Sequence, residues 1–215
     1  KKKKKENFFA RPPGPLGGLW SVYYIDAWKF LKRQLQGFRH VRKEAFKNTL
    51  TPGSPMPSVK LRTTDDTEFN LSDYQGKKNI VIEFGAITWP PYRRQVAGVE
   101  DLQTKYKDKD VEFFVVYSKE PHAEERRYFK KYKQHTSYDH KKEYACELVK
   151  EFNMKVPVLI DDMDEAVVQA FGRMPNMTFV VDKEGTIAYK ADWMEASRIS
   201  EILDELINEQ ETATV

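Results

Sequence analysis

The stretch FGAITWPPYRRQ, from Phe84 to Gln95, decides the fold of this chain. It ends an apolar run, NIVIEFG, that predicts a buried strand, and it leads into RRQVAGVEDLQTKY, whose spacing is typical of an amphipathic helix. Pro90 and Pro91 fit the first turn of that helix, where missing N–H groups cost little. Trp89, whose side chain offers no nucleophile, therefore stands at the junction of strand and helix.

Patterns further along the chain predict the remaining elements. Expected strands are 59–62 and 68–71 around the turn TTDDT, 111–118, VPVLIDD, and a hairpin in MTFVVDKEGTIAYKAD. Expected helices are AEERRYFKKYKQ, HKKEYACELVKEFN, DEAVVQAFG closed by Gly172, and EASRISEILDELINEQ. Strand, helix and strand in this order imply parallel core strands with a right-handed crossover. The fold class is α/β, with a mixed central sheet completed by the antiparallel hairpin.

Charge is distributed unevenly along the 215 residues. Residues 1–50 carry 13 Lys and Arg against three acidic residues, whereas the remainder carries 23 against 30. The net charge of +3 therefore hides a basic arm on an acidic domain. Such an arm favours an anionic partner, which the charge alone leaves open between a lipid surface, an acidic protein and nucleic acid.

A helical pattern with many large apolar groups fills the arm after the Pro/Gly-rich segment 11–18. The candidate docking residues are Trp20, Tyr23, Tyr24, Trp28, Leu31, Lys32 and Arg33. Residues 19–31 are apolar on nearly all sides but are shorter than the roughly 20 apolar residues of a membrane span. Two interpretations remain: a helix packed on another protein subunit, or residues 19–43 lying on an anionic membrane surface. Because the basic residues lie beside an apolar stripe, we expect no nucleic acid partner.

Composition divides the chain into four parts. Residues 1–50 form the arm with its long helix, and the Pro-rich segment 51–58 is expected to be a stiff linker that holds the arm away from the domain. Residues 59–209 form the globular domain. Residues 210–215 are expected to fray.

Cys146 is the single cysteine of the chain. An intramolecular disulfide, a CxxC motif and a Cys-based zinc site are therefore excluded. Its neighbours in KEYACELVKEF place it on a predicted apolar helix face, so we expect a buried small hydrophobic residue and not a redox-active thiol. We expect no cofactor and no metal site.

The residues around Trp89 resemble those of the iodothyronine deiodinases, a selenoenzyme branch of the thioredoxin fold. The signature of that family is roughly Asn/Glu-Phe-Gly-Ser/Ala-x-Thr, then selenocysteine or Cys, then Pro-Pro-Phe/Tyr, and EFGAITWPPY matches it on both sides of Trp89. VVYSKEPHAEE supplies the Glu-x-His turn of the family as Glu120 and His122, and His135 sits near the place of a second His. DDMDEAVVQAFGRMPNMTFVVDKEGTIAYK resembles the C-terminal half.

The resemblance implies a thioredoxin-like fold for residues 59–209 and a vestigial site. The site residues are Thr88, Trp89, Pro90, Pro91, Glu120, His122, His135 and Pro175. Thioredoxin folds carry a cis-proline before the strand that MTFVVD predicts, so we expect a cis Met174–Pro175 bond. His122 is implied to supply protons or to bind substrate, and Thr88 to hydrogen-bond locally. His135 and His140 are otherwise expected at the surface.

Two departures from the family bear on activity. Trp89 stands where selenium or sulfur belongs, and ADWMEAS lacks the Gly-Pro-Phe-type turn that usually follows the last strand. Reductive deiodination needs a soft, ionised nucleophile, which a helix N-terminus favours but an indole lacks. We therefore expect no catalytic residue as long as residue 89 is Trp.

Three functions are compatible with these observations. The first is a pseudoenzyme: an inactive deiodinase-like accessory subunit of a membrane-associated, organellar protein complex, with the mitochondrion preferred over the endoplasmic reticulum. The second is an active deiodinase-like or peroxiredoxin-like selenoenzyme, in which residue 89 is a selenocysteine printed as Trp because some genetic codes read UGA as Trp. The third is a binding module for a small molecule or peptide.

Overall fold

A computed structural model describes Leu35 and residues 44–125 and 129–213. The predicted docking residues of the arm, from Trp20 to Arg33, lie outside the described residues. In the part of the chain that is described, no helix combines the length and apolar character needed to cross a bilayer. The fold below is therefore that of the predicted domain and of the segment that leads into it.

The described residues build one seven-stranded mixed sheet in the order β2-β1-β5-β4-β3-β6-β7. Its strands are β1 (Lys60–Thr63), β2 (Glu68–Asn70), β3 (Asn79–Gly85), β4 (Val111–Tyr117), β5 (Val158–Ile160), β6 (Thr178–Val181) and β7 (Ile187–Ala191). β3, β4 and β5 run parallel, whereas β6 pairs antiparallel with both β3 and β7. The predicted parallel pair and the predicted hairpin are both confirmed.

Besides a short helix at residues 44–48, four α-helices cover the sheet in the described residues: α1 (Pro90–Lys105), α2 (Tyr138–Phe152), α3 (Ala166–Phe171) and α4 (Ala196–Ala213). A 3₁₀ turn, Leu71–Tyr74, follows β2. α1 forms the crossover between the parallel strands β3 and β4, as its sequence predicts. The C-terminal helix continues through residues 210–213, which were expected to fray. The α/β fold class is confirmed.

Alternation along β3 separates two hydrophobic cores. Ile82 and Phe84 face one side of the sheet, where they pack with Phe171 of α3. Val81 faces the other side, where α1, α2 and α4 contribute side chains such as Leu102. Because successive side chains of a strand point to opposite faces, Glu83 lies on the α1 side together with Val81.

The segment before the domain is attached to it, contrary to the expectation of a spacer. Residues 44–48 are helical, and Phe46 packs edge-on against Phe179 with 5.9 Å between ring centroids. Further on, the amide of Gly53 donates to the carbonyl of Ile187 at 2.8 Å, and that of Met56 donates to Gly185 at 2.8 Å. The physical reason is that β7 is an edge strand, whose open backbone groups accept a pairing partner.

A second difference concerns the predicted helix AEERRYFKKYKQ. Phe129 is helical, residues 121–124 and 130–131 form turns, and part of the predicted helix, 126–128, lies outside the described residues. The amide of Glu124 donates to the carbonyl of Tyr132 at 2.7 Å. Phe129 and Tyr132 are buried in the core on the α1 side. The described ends of the predicted helix are therefore turns, and the burial of these two rings, a tertiary contact, fixes their conformation.

Two local expectations are wrong. Cys146 is exposed on α2, because Ala145 and Leu148 form the buried face of that helix. The Met174–Pro175 bond is trans, as are all peptide bonds of the described residues. Trans is the default for X–Pro, and the chain turns earlier, at Gly172 and Arg173, whose φ values of 110° and 61° lie in the left-handed region.

Candidate functional site

Trp89 is the N-cap residue of α1, at the carboxyl end of β3. Its backbone is extended, its side chain makes no capping hydrogen bond, and Pro90 and Pro91 open the helix. The Tyr92 ring lies so close over Gly85 that a Cβ at residue 85 would collide with it. The chain therefore adopts the predicted order of strand, turn and Pro-initiated helix. Residue 85 has to be glycine, because the Tyr92 ring in the first turn of α1 leaves no room for a Cβ there.

A buried carboxylate organises this turn. Glu120, in the loop after β4, accepts hydrogen bonds from the Thr88 amide at 3.1 Å and from the Thr88 hydroxyl at 2.6 Å, both on Oε2. The Tyr117 hydroxyl donates to Oε1 and itself accepts from the Ile87 amide at 3.2 Å. The sequence-predicted residues Thr88 and Glu120 are thus brought into direct contact.

The pattern of donors determines the charge of Glu120. Burial raises the pKa of this carboxyl, which is 4% exposed, and the hydrogen bonds from Thr88 and Tyr117 oppose that rise. All three groups that reach the carboxyl are donors, because the Tyr117 hydroxyl already accepts from Ile87. A protonated carboxyl has to donate one bond itself, so this arrangement fits the ionised form.

His122 lies on the other side of Thr88. Its amide donates to the Thr88 hydroxyl oxygen at 3.2 Å, and its ring Nδ1 is 2.8 Å from Oε2 of Glu125. Both side chains of the His122–Glu125 pair are buried. The carboxylate fixes the orientation of the imidazole, a common way to hold a histidine for proton transfer or binding.

The Trp89 indole stacks on the His122 imidazole, with 5.1 Å between centroids and 9° between planes. The indole is half-buried against the core on the α1 side, and its Nε1 has no hydrogen-bond partner among the described residues. A flat apolar ring therefore covers the histidine at the position where a nucleophile of this fold would stand.

The remaining predicted residues are less tightly joined to this centre. The loop of Pro175 reaches α1 through Asn176, whose Nδ2 donates to Oε1 of Gln95 at 2.7 Å. His135 is 7% exposed, so its expected surface position is wrong. Burial lowers the pKa of His135 to about 3, and the neighbouring charges of Lys141 and His140 act in the same direction. His135 is therefore a neutral group beside the N-terminus of α2.

A second buried glutamate lies under α1. Glu83 is 1% exposed, and neither carboxyl oxygen has a hydrogen-bond partner among the described residues. It pairs across the sheet with Thr178, whose hydroxyl also has no partner among the described residues. Burial raises the pKa of Glu83 well above its ordinary value. This carboxyl is consequently held in the neutral form.

The site has the elements of acid–base and hydrogen-bonding chemistry but no nucleophile at residue 89. Cys146 lies on α2, with Sγ 3.8 Å from the carbonyl of Thr64 in the β1–β2 turn. Among the described residues no group of three or more His, Cys, Asp or Glu side chains could hold a metal ion. What the site offers is an ordered turn, an oriented histidine and a helix N-terminus that favours negative charge.

Three contributors were missed by the sequence reasoning: Tyr117, Glu125 and Glu83. Glu125 could have been found, because it follows His122 by three residues, a spacing that lets two side chains meet in a turn. Glu83 stands in an otherwise apolar strand, and its burial follows from that context. Tyr117 precedes Glu120 by the same three residues, so this spacing could have found it as well.

A βαβ unit, a hairpin, and a site at the N-terminus of the first long helix define a thioredoxin-like protein. Solved structures agree. A putative thiol:disulfide interchange protein DsbE from Chlorobium tepidum superposes with a TM-score of 0.59 over 74% of this chain and 99% of that one, at 17% identity. A putative protein disulfide isomerase from Bacteroides thetaiotaomicron gives 0.58 over 77% and 95%, at 18% identity.

The chain belongs to the iodothyronine deiodinase family, whose model matches residues 22–203. It is similar to human thyroxine 5-deiodinase, with 31% identity over 90 residues, or 41% of this chain and 29% of that one. The sheep enzyme gives 24% over 162 residues, covering 73% and 54%. Xenopus laevis type I iodothyronine deiodinase gives 25% over 168 residues, covering 76% and 64%. In each case the match spans less than two-thirds of the relative.

Proposed function

We propose that this chain is a catalytically inactive member of the deiodinase family that serves as an accessory subunit of a larger, membrane-associated assembly. The observation that carries the proposal is the Trp89 indole stacked on His122 at the N-terminus of α1. An indole has no electron pair that attacks iodine, sulfur or peroxide oxygen. The one cysteine of the chain lies on α2 against the β1–β2 turn, so it does not replace the missing group.

Retention of the surrounding network supports a structural use for the turn. Glu120, Thr88 and Tyr117 still join β4 to the start of α1, which stabilises the domain whether or not chemistry takes place. Trp89 adds apolar contact area at the same point. A domain that keeps its fold and fills its old site is suited to serve as a packing unit in an assembly.

The arm supports the assembly part of the proposal. Residues 1–50 carry 13 basic and three acidic side chains, and residues 19–31 are rich in large apolar groups. Burying each such group is worth about 1.5–3 kcal/mol, which favours a second surface that covers them. We propose a neighbouring protein subunit, or an anionic membrane surface, in an organelle and preferably the mitochondrion.

A second candidate function has its own support. The relatives are named as deiodinases, and the histidine, the threonine and the Pro-Pro turn that flank residue 89 are all in place. With selenocysteine at residue 89, the chain would be a selenoenzyme of the deiodinase type. Its nucleophile would stand at a helix N-terminus that favours the anion.

One experiment separates the two candidates. Mass spectrometry of the peptide that spans residue 89, from protein isolated from its natural source, is expected to give the mass of Trp. The same preparation should show no thiol-dependent deiodination or peroxide reduction above the buffer rate, and it should run in a complex larger than a monomer. The mass of selenocysteine, or turnover that survives Cys146→Ser, would overturn the first proposal in favour of the second.

A further inference from the structure

One peptide unit in the Trp89 turn is held from both sides. The N–H of Thr88 and the carbonyl of Ile87 belong to the same peptide bond, and because that bond is planar and trans, the two groups point in opposite directions. The N–H donates to Oε2 of Glu120 at 3.1 Å. The carbonyl accepts from Nη1 of Arg93, on α1, at 3.3 Å. Contacts at its two ends therefore fix the orientation of this peptide plane.

Arg93 is an unusual residue for its position. It lies near the N-terminus of α1, where the helix dipole disfavours a cation, and its side chain is only 12% exposed. A carboxylate is needed to offset this cost. Glu151, near the C-terminal end of α2, supplies it: Nη1 donates to Oε2 at 3.1 Å, and Nη2 donates to Oε1. A guanidinium suits this two-point pairing, because its planar fork matches the two carboxylate oxygens.

The end of α2 fixes the guanidinium by a second contact as well. Its carbon Cζ lies 4.9 Å from the centroid of the Phe152 ring, which packs against the core on the α1 side. Glu151 and Phe152 are the last two residues of α2. The same Nη1 serves Glu151 and the carbonyl of Ile87. The place where the guanidinium meets the turn is therefore determined by the C-terminal end of α2.

We propose that Arg93 is a positioning residue for the turn that carries Trp89. Held by Glu151, its guanidinium fixes the peptide between residues 87 and 88 from the side opposite Glu120. The C-terminal end of α2 thereby controls how residue 89 is presented at the start of α1. The inference stands apart from the proposed function, because Arg93 acts on the backbone of the turn and not on the side chain at residue 89.

The test follows hydrogen exchange at the Thr88 amide in the full-length chain. The variants are Arg93→Met, Glu151→Ala and the two combined, and amides of β6 report global unfolding as the internal reference. A charge-reversed variant, Arg93→Glu with Glu151→Arg, can remake the ion pair between the helices, but a carboxylate at residue 93 cannot donate to a carbonyl. Arg198→Met is the matched control, because it breaks an ion pair of α4 that is exposed on both sides.

We expect the Thr88 amide to exchange about tenfold faster in Arg93→Met, relative to the β6 reference, because the peptide loses a hydrogen bond to a charged group. Glu151→Ala should act in the same direction but less strongly, since the guanidinium stays and loses its anchor. The combined variant should exchange no faster than Arg93→Met, because Glu151 acts on the turn only through Arg93. The charge-reversed variant should regain stability in urea and still exchange fast at Thr88. Arg198→Met should leave the Thr88 rate unchanged.

Three results would overturn the proposal. The first is an unchanged Thr88 rate in either single variant. The second is a combined variant whose effect is the sum of the two single effects, which means that Arg93 and Glu151 act separately. The third is slow exchange at Thr88 in the charge-reversed variant, which means that an ion pair between α1 and α2 is sufficient and the bond to the carbonyl of residue 87 is not needed. If Arg93→Met does not fold, Glu151→Ala decides by the same criterion.

Discussion

Two buried glutamates lie at the same end of neighbouring strands and have opposite surroundings. Glu120, just after β4, receives three hydrogen bonds that oppose the rise of its pKa on burial. Glu83, near the end of β3, has no hydrogen-bond partner among the described residues, and burial alone raises its pKa. The same side chain is therefore a structural anion in one place and a neutral acid in the other. The difference shows that burial does not set the charge of a carboxyl by itself; the donors around it do.

The largest expected effect follows from removing the partnered carboxylate. Glu120→Ala leaves the Thr88 amide, the Thr88 hydroxyl and the Tyr117 hydroxyl without their acceptor. We expect a loss of about 3–5 kcal/mol in the free energy of unfolding at neutral pH. Urea denaturation measures it. Glu143→Ala, an exposed position on α2, is the control and should change stability by less than about 0.5 kcal/mol. Equal losses in both variants would refute the assigned role.

Removing the carboxyl of Glu83, which has no hydrogen-bond partner among the described residues, should stabilise the protein. Glu83→Met replaces a buried carboxyl with an apolar side chain of similar length, and we expect a gain of about 1–3 kcal/mol at neutral pH. The sign of the pH dependence follows from the raised pKa. The folded state keeps the proton longer than the unfolded state, so the wild type loses stability as the pH rises above the ordinary Glu value.

Thermal or urea unfolding across that pH range checks this prediction. The advantage of Glu83→Met should be smallest in acid and grow as the pH rises. A variant that is less stable than the wild type at every pH would show that Glu83 has a partner that stabilises its ionised form. That result would make the two glutamates alike and remove the contrast.

The turn beside Glu120 offers a third test, because its helix N-terminus favours an anion. We expect Trp89→Cys to place a thiol there whose pKa lies below the ordinary Cys value. A lowering by one unit gives about tenfold more thiolate at neutral pH. Alkylation by iodoacetamide, followed by peptide mass spectrometry, compares the introduced thiol with the native Cys146 in the same molecule. Equal alkylation rates at residue 89 and at Cys146 would mean that the helix N-terminus does not lower the pKa of a thiol at residue 89.

The sequence predicted the elements that depend on local pattern. The parallel strands and the Pro-initiated helix α1 follow from hydrophobic runs, and the choice of Thr88 and Glu120 as site residues follows from a family signature. It missed what depends on distant packing. Glu120 receives two of its three hydrogen bonds from Thr88, which lies 32 residues earlier, and no spacing along the chain joins the two. The attachment of Phe46 to Phe179 was missed for the same reason, since a Pro-rich segment gives no sign of the strand edge that it will meet.

The smallest expected effect concerns Lys190, on the far face of the sheet, whose ammonium has a hydrogen-bond acceptor for each of its N–H groups. Lys190 of β7 donates to the carbonyls of Phe46, Lys47 and Thr49 at 2.6, 3.0 and 2.7 Å. All three N–H groups of the ammonium are thereby used, at the end of the short helix 44–48. Lys190 resembles Glu120 in that its charged group joins one element to an adjoining segment through several hydrogen bonds.

Lys190→Met should therefore loosen the segment that precedes the domain and leave the site unchanged. We expect a loss of about 1 kcal/mol, because the side chain is half-buried and water replaces part of the lost bonding. Hydrogen exchange should quicken at the Thr49 amide, which donates to Ala45 at 3.1 Å, while the Thr88 amide keeps its rate. Lys60→Met, on the exposed side of β1, is the matched control. If Thr88 exchanges faster as well, the two faces of the sheet are coupled, and the segment 44–49 takes part in ordering the turn that carries Trp89.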